Sequence, residues 1–362
     1  MIKLYGSEFS LFTGKARSYL KKKGIEYEEI TSSLKVYKNF IIPRTGVRYV
    51  PVIQTEDDVV IQDTTVIIDA LEEKFPDRSV YPSTPKQKLV SLLLEVYGDE
   101  WLVIPAMHYR WNFPEKNEKF IYSTFGSMVL PSAPKFVQRF LGKRVGAKFK
   151  GFVPRLGIKD DNIPALEASY EQLLSDLNTH FKEHDYLLGG RPSIGDFGLI
   201  GPLYAHLYRD PAPGELMKRI APEVCKWVER MISDDIPQGE FVNDDHIPET
   251  LLPILRRMAN EQIPVLMDTD QRLSEWRKNN SEVNEVERFI GMHDFTVENV
   301  TGERAVLPFS LWMFKRPVDF YQSIDDKSSV DQLLASTGFG ESLKQGLENH
   351  LTKVDNIVVF ES

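Results

Sequence analysis

The 362-residue chain has one cysteine, Cys225. A single thiol cannot form an internal disulfide, a Cys-x-x-Cys redox pair or a cysteine-built zinc site. Val224, Trp227 and Val228 surround it at helical spacing, which places Cys225 on a packed face rather than at a reactive centre. No run of 18 or more apolar residues occurs, so no transmembrane helix is expected. Basic residues are outnumbered, 44 Lys and Arg against 53 Asp and Glu, for a net charge of −9. That balance argues against a nucleic-acid partner. The first residues lack the basic and apolar pattern of a secretory leader, and the expected location is cytoplasmic. Acidic residues are missing from Lys135 to Arg155, a stretch carrying Lys135, Arg139, Lys143, Arg144, Lys148, Lys150 and Arg155. A solvated helix face is the simplest reading of it; a membrane surface or an acidic partner is the other.

What is present is ordinary in bulk, 42% apolar and 27% charged, and long enough for two or three domains with cores. The most informative segment is Gly6-Ser7-Glu8-Phe9-Ser10-Leu11-Phe12-Thr13-Gly14-Lys15. It follows an apolar strand, Ile2 to Tyr5, and opens an amphipathic helix running to about Gly24. A hydroxyl thus stands where a strand hands over to a helix N-terminus, whose unpaired N–H groups and partial positive charge favour an anion. A thiolate is such an anion, although serine before a helix also serves as a plain N-cap. Further on, Tyr49-Val50-Pro51-Val52-Ile53 reads as a buried strand interrupted by proline, which points to an edge or a cis bond. Val59 to Thr65 reads as a strand ending in a helix cap, and Val66 to Phe75 as the helix. The order strand-helix-strand-helix-strand-strand-helix is the thioredoxin-type pattern.

A second motif, Leu187-Leu188-Gly189-Gly190-Arg191-Pro192-Ser193-Ile194-Gly195-Asp196-Phe197, carries a capping box in which Ser193 caps and Asp196 reaches back. The helix after it, Phe197 to Leu207, is almost wholly apolar or small, the composition of a helix buried on all sides. With a hydroxyl in place of Cys-x-x-Cys, the two motifs in this order resemble the cytosolic glutathione S-transferase superfamily, in its Ser-type, bacterial-like form. The resemblance covers about residues 1 to 235. It implies an α/β plus all-α fold: a thioredoxin-like glutathione-binding domain over 1–78 and a helical domain over 87–280. Residues 281–362 remain as a small mixed α/β extension of unknown role. In the extension, two strands around a Thr-Gly turn are expected over 295–306, helices over 311–324 and 330–334, and a last strand over 356–360. The segment 112–162 has no clear periodicity.

The resemblance further implies that Ser10 donates to the sulfur of bound glutathione. Ser10-Leu11-Phe12 differs from the family's Ser-Pro-Phe in its middle residue, and Ser7 and Thr13 are rival hydroxyls. The backbone of Val50, before Pro51, is expected to pair with the cysteinyl part, and Gln62, Asp63 and Thr64 to grip the γ-glutamyl end. Lys15 is solvated or ion-paired. Phe12, Tyr97, Trp101, His108, Tyr109 and Trp111 are candidates for an electrophile pocket, with ordinary helix packing as the alternative. Glutathione as co-substrate, no metal, a hydrophobic electrophile, a detoxification role and a homodimer complete the expectation. A non-catalytic scaffold is the alternative, and a thiol-disulfide or deglutathionylating enzyme is disfavoured by serine at position 10.

Overall fold

A computed structural model describes residues 1–361. Strand β1 (Ile2–Gly6) pairs in parallel with β2 (Tyr27–Thr31) and antiparallel with β3 (Val52–Gln54), which pairs antiparallel with β4 (Val60–Gln62). The sheet order is β2-β1-β3-β4. Helices Leu11–Lys22 and Thr64–Lys74 follow β1 and β4 directly and pack on the sheet through Ala16, Leu20, Ile67 and Leu71. This is the thioredoxin-like unit. Its third strand is shorter than the sequence suggests. The Val50–Pro51 bond is cis, and the ladder begins only at Val52, because proline has no N–H to give it.

The helical part is centred on Ile194–Pro202, in which all nine residues are buried. Ser193 and Asp196 form the capping box at its start. The Asp196 carboxylate accepts the Ser193 N–H at 2.9 Å, the Leu187 N–H at 3.0 Å and the Trp227 indole N–H at 3.1 Å. One buried carboxylate therefore ties three segments together, and burial pushes its pKa up to about 6 against those donors. Helix Pro85–Val96 and the wider turn Tyr97–Trp101 cross this centre glycine on glycine. A Cβ on Gly98 would stand 2.3 Å from the Gly198 carbonyl carbon, so neither residue can carry a side chain there. That close approach sets Asp99 against the first helix.

Residues 112–162 are more regular than their sequence. Pro114–Val129 and Lys135–Lys150 form a helical hairpin in which Gly126 lies on the Gln138 backbone and Gly142 on the Tyr122 carbonyl. The glycines that allow the contact also blur the helical periodicity. The basic residues Lys135, Lys143, Arg144, Lys148 and Lys150 are exposed on the second helix together with Phe136, which is 76% exposed, while Arg139 donates across to Ser123 of the first.

The extension folds back on both domains. Hairpin β5–β6 (Met292–Val297, Val300–Ala305) turns at Glu298-Asn299, both at positive φ, rather than at Thr301-Gly302. Gly302 lies within β6 instead, where any Cβ would strike Asn162 and Phe295. Helices Pro308–Gln322 and Ser328–Thr337 precede a second hairpin, β7 (Leu351–Val354) and β8 (Ile357–Phe360), turning at Asp355-Asn356. Leu311, Phe314 and Leu343 join the same apolar core as the helical domain.

Candidate active site

Strands β1 and β4 run toward one end of the sheet and β3 leaves from it, so Tyr5, Val52 and Gln62 stand in a single row. Just beyond that row come the Ser7–Ser10 turn, the Val50–Pro51 bond and the Asp63–Thr64 corner. Two helix N-termini open here, with their unpaired N–H groups and positive ends. Ser10 is the N-cap of Leu11–Lys22: its Oγ accepts the Thr13 N–H at 3.3 Å. The Ser10 hydroxyl hydrogen has no acceptor among the described residues and stays available as a donor. Thr13 is fully buried and its Oγ1 accepts the Ser7 N–H. Ser7 is buried, and its Oγ has no partner among the described residues. Of the three hydroxyls, Ser10 alone is both partly exposed and free to donate.

Asp63 caps the other helix at φ 84°, its Oδ1 accepting the Thr65 N–H at 3.0 Å. Thr64 is buried at the first helical position. The Val50 N–H and carbonyl pair with nothing in the described chain, which leaves the backbone before Pro51 open to an added strand.

Beneath this corner lies a buried charge network. Lys15 Nζ is 2.5 Å from Asp99 and 2.6 Å from Glu95, with no exposure to solvent. Lys15 is thus the buried hub of an ion cluster. Thr65 Oγ1 donates to Glu95 at 3.1 Å. From the extension, Arg316 meets Glu95 at 2.5 Å and Asp69 at 2.9 Å, and Tyr81 donates to Asp69 as well. Two cations face three carboxylates. Burial lifts Asp99 to about 7, opposed by Lys15 and aided by the Glu95 charge. Burial pushes Glu95 the same way, but Arg316 and Lys15 together outweigh it and hold Glu95 low.

Residues 4–79 match the family model of the glutathione S-transferase N-terminal domain, and residues 146–235 match that of the C-terminal domain. The chain belongs to the glutathione S-transferase superfamily. Mouse glutathione S-transferase omega-1 is 25% identical over 87 residues, 24% of this chain and 36% of that protein. Human glutathione S-transferase omega-2 is 22% identical over 98 residues, 27% of this chain and 40% of that one. The chain thus spans well under half the length of the curated relatives it matches. Among solved structures, a glutathione S-transferase from Rhodospirillum rubrum is 17% identical, covering 69% of this chain and 97% of that one at a TM-score of 0.40. A beta-etherase from a Sphingobium strain is 18% identical, covering 64% and 94% at a TM-score of 0.42.

In this glutathione S-transferase chain the six aromatic candidates do not gather around one opening. Tyr97, Trp101, Tyr109 and Trp111 are buried in the helical core. Trp101 donates its indole N–H to Glu261 at 3.2 Å, and Tyr109 stacks on Phe113. The crevice lined by Tyr97 and Trp101 holds about 20 Å³, room for one water. His108 is buried between Glu167 and Asn112, and burial lowers its pKa despite Glu167, so the ring is neutral near pH 7. Phe12, half-buried in the first turn after Ser10, is the one candidate beside the site. Cys225 is buried on its helix, where burial raises its pKa. Among the described residues no His, Cys, Asp and Glu cluster could hold a metal ion, and no helix is long and apolar enough to cross a membrane.

The sequence reading missed the residues that the extension adds. Lys353 Nζ lies 3.3 Å from Gln62 Oε1 and 3.6 Å from Asp63 Oδ2, over the rings of Trp312 and Phe309. Asn356 donates its side-chain N–H to the Thr45 carbonyl at 2.9 Å. Nothing local in the sequence marks either residue, because their partners lie roughly 290 to 310 positions away.

Proposed function

We propose that this chain binds glutathione at the shared end of β1, β3 and β4 and stabilises its thiolate for attack on a hydrophobic electrophile. Carrying this reading is the convergence at that end of a free hydroxyl donor, an unpaired backbone before a cis-proline and an acidic helix cap. In it, Val50 pairs with the cysteinyl backbone of the tripeptide. Thr64 and the helix N-terminus receive the γ-glutamyl carboxylate, and Asp63 with Gln62 takes the ammonium. The Ser10 hydroxyl and the N-terminus of its helix face the sulfur. A free thiol has a pKa of about 8.5, so donors that favour the anion raise the reactive fraction at neutral pH. Serine at position 10 cannot itself undertake disulfide exchange.

Ser10→Ala is expected to raise the pKa of bound glutathione by about 1 to 2 units and lower turnover about 10- to 100-fold at neutral pH. The variant should retain its fold, since the lost cap costs only about 1 kcal/mol. Ultraviolet thiolate absorbance of the complex against pH measures the shift, and unchanged absorbance with unchanged turnover removes Ser10 from the mechanism. A second reading, a transferase-fold binding module, is favoured by Lys353 lying over Asp63. Glutathione affinity without turnover across a broad electrophile panel identifies that case.

A further inference from the structure

We propose that the tip of the β7–β8 hairpin is an intrachain occupant of the tripeptide groove, with Lys353 standing where the γ-glutamyl ammonium of glutathione would sit. Ligand and hairpin tip then exclude one another, and the extension regulates entry. This rests on the glutathione reading above.

The two residues that reading assigns to the ammonium, Gln62 and Asp63, are the two that Lys353 Nζ approaches. The contact closes the corner: the Lys353 side chain is 8% exposed and that of Asp63 is 12%. Two ammonium groups cannot share one carboxylate without repulsion in so enclosed a place. Asn356, at the turn of the same hairpin, donates to the Thr45 carbonyl in the segment that leads to Val50 and Pro51. Arg288, from the segment bridged to β8 through Val286 and Val358, lies over the Tyr49 ring beside the same entry.

The hairpin is firmly rooted and lightly held at its tip. At the root, Asp270 accepts the Glu348 and Asn349 N–H groups, and Leu351 and Phe360 are buried. At the tip, the ammonium reaches Gln62 at 3.3 Å and its carboxylate only at 3.6 Å, and a single hydrogen bond holds Asn356. Burial lowers the Lys353 pKa even with Asp63 nearby, so the ion is incompletely compensated where it sits. The two strands are four residues each, and beyond each other only β8 has a further backbone partner among the described residues, the segment 284–286. Helix Pro308–Gln322, in contrast, is fixed by Arg316 and by buried Leu311 and Phe314. The tip lifts while the helix stays.

The full-length chain and its Lys353→Met variant, which keeps the apolar stem against Trp312, test this by glutathione titration and hydrogen exchange. The variant is expected to bind glutathione about tenfold tighter. Saturating glutathione should speed amide exchange over residues 352–359 of the unmutated chain while protecting residues 50–54. Weaker binding by Lys353→Met overturns the proposal, because Lys353 then holds the ligand rather than competing with it. Equal affinities, with residues 50–54 protected and 352–359 unchanged, also overturn it but leave the glutathione reading intact. No binding and no exchange change in either protein removes the glutathione reading and this proposal together.

Discussion

Lys15→Met is expected to lower folding stability by about 3–5 kcal/mol, far more than the loss of a surface ion pair. Removing the ammonium leaves Asp99 and Glu95 enclosed, with Arg316 the only cation among the described residues still in contact with the cluster. The methionine stem fills the space, so at pH 8, above the Asp99 pKa of about 7, the loss reports the uncompensated charge rather than a cavity. Urea unfolding measures it; a change below about 1 kcal/mol contradicts the assignment. The double variant Lys15→Met, Asp99→Leu should recover part of the loss, since an apolar replacement of a buried pair is often tolerated.

The second large effect is on pH dependence. Asp99 titrates near 7 in the folded protein, through burial and the nearby Glu95 against the pull of Lys15. In the unfolded chain it titrates near 3.9. Between these values the folded state holds a proton that the unfolded state has released. Stability from this group is therefore complete at low pH and falls as pH rises from about 4 through 7, by no more than about 4 kcal/mol. Asp99→Asn should flatten that part of the profile and leave the contributions of Glu95, Asp69 and the surface unchanged. Equal slopes for both proteins in urea titrations at pH 5 and pH 8 contradict the protonated Asp99.

The legible parts of the chain were those whose cause is local. Ser10 before an amphipathic run, the Ser193–Asp196 spacing and the proline at position 51 each act within a few residues, and each is visible as a cap, a box or a backbone bond. Contacts between distant segments were not legible. Lys15 reads as one more lysine on a helix until Gly98 and Gly198 bring Asp99 against it. The hairpin Pro114–Val129 and Lys135–Lys150 hides behind glycines that pack backbone on backbone. The β5–β6 turn was misplaced because glycine signals turns generally, whereas here Glu298-Asn299 takes the positive φ values and Gly302 answers a crowding problem. The extension's hold on the site depends on Arg316, Lys353 and Asn356, each decided by tertiary packing alone.

The most direct test of the account is a calorimetric titration of reduced glutathione into the unmutated chain, Lys353→Met and Asp63→Asn. Asparagine keeps the helix cap and removes the charge. The account predicts binding by the unmutated chain, tighter binding by Lys353→Met, and binding weakened at least about tenfold by Asp63→Asn. No heat and no thermal-stability shift at millimolar glutathione, in the unmutated chain and in Lys353→Met alike, contradicts a glutathione site at this end of the sheet.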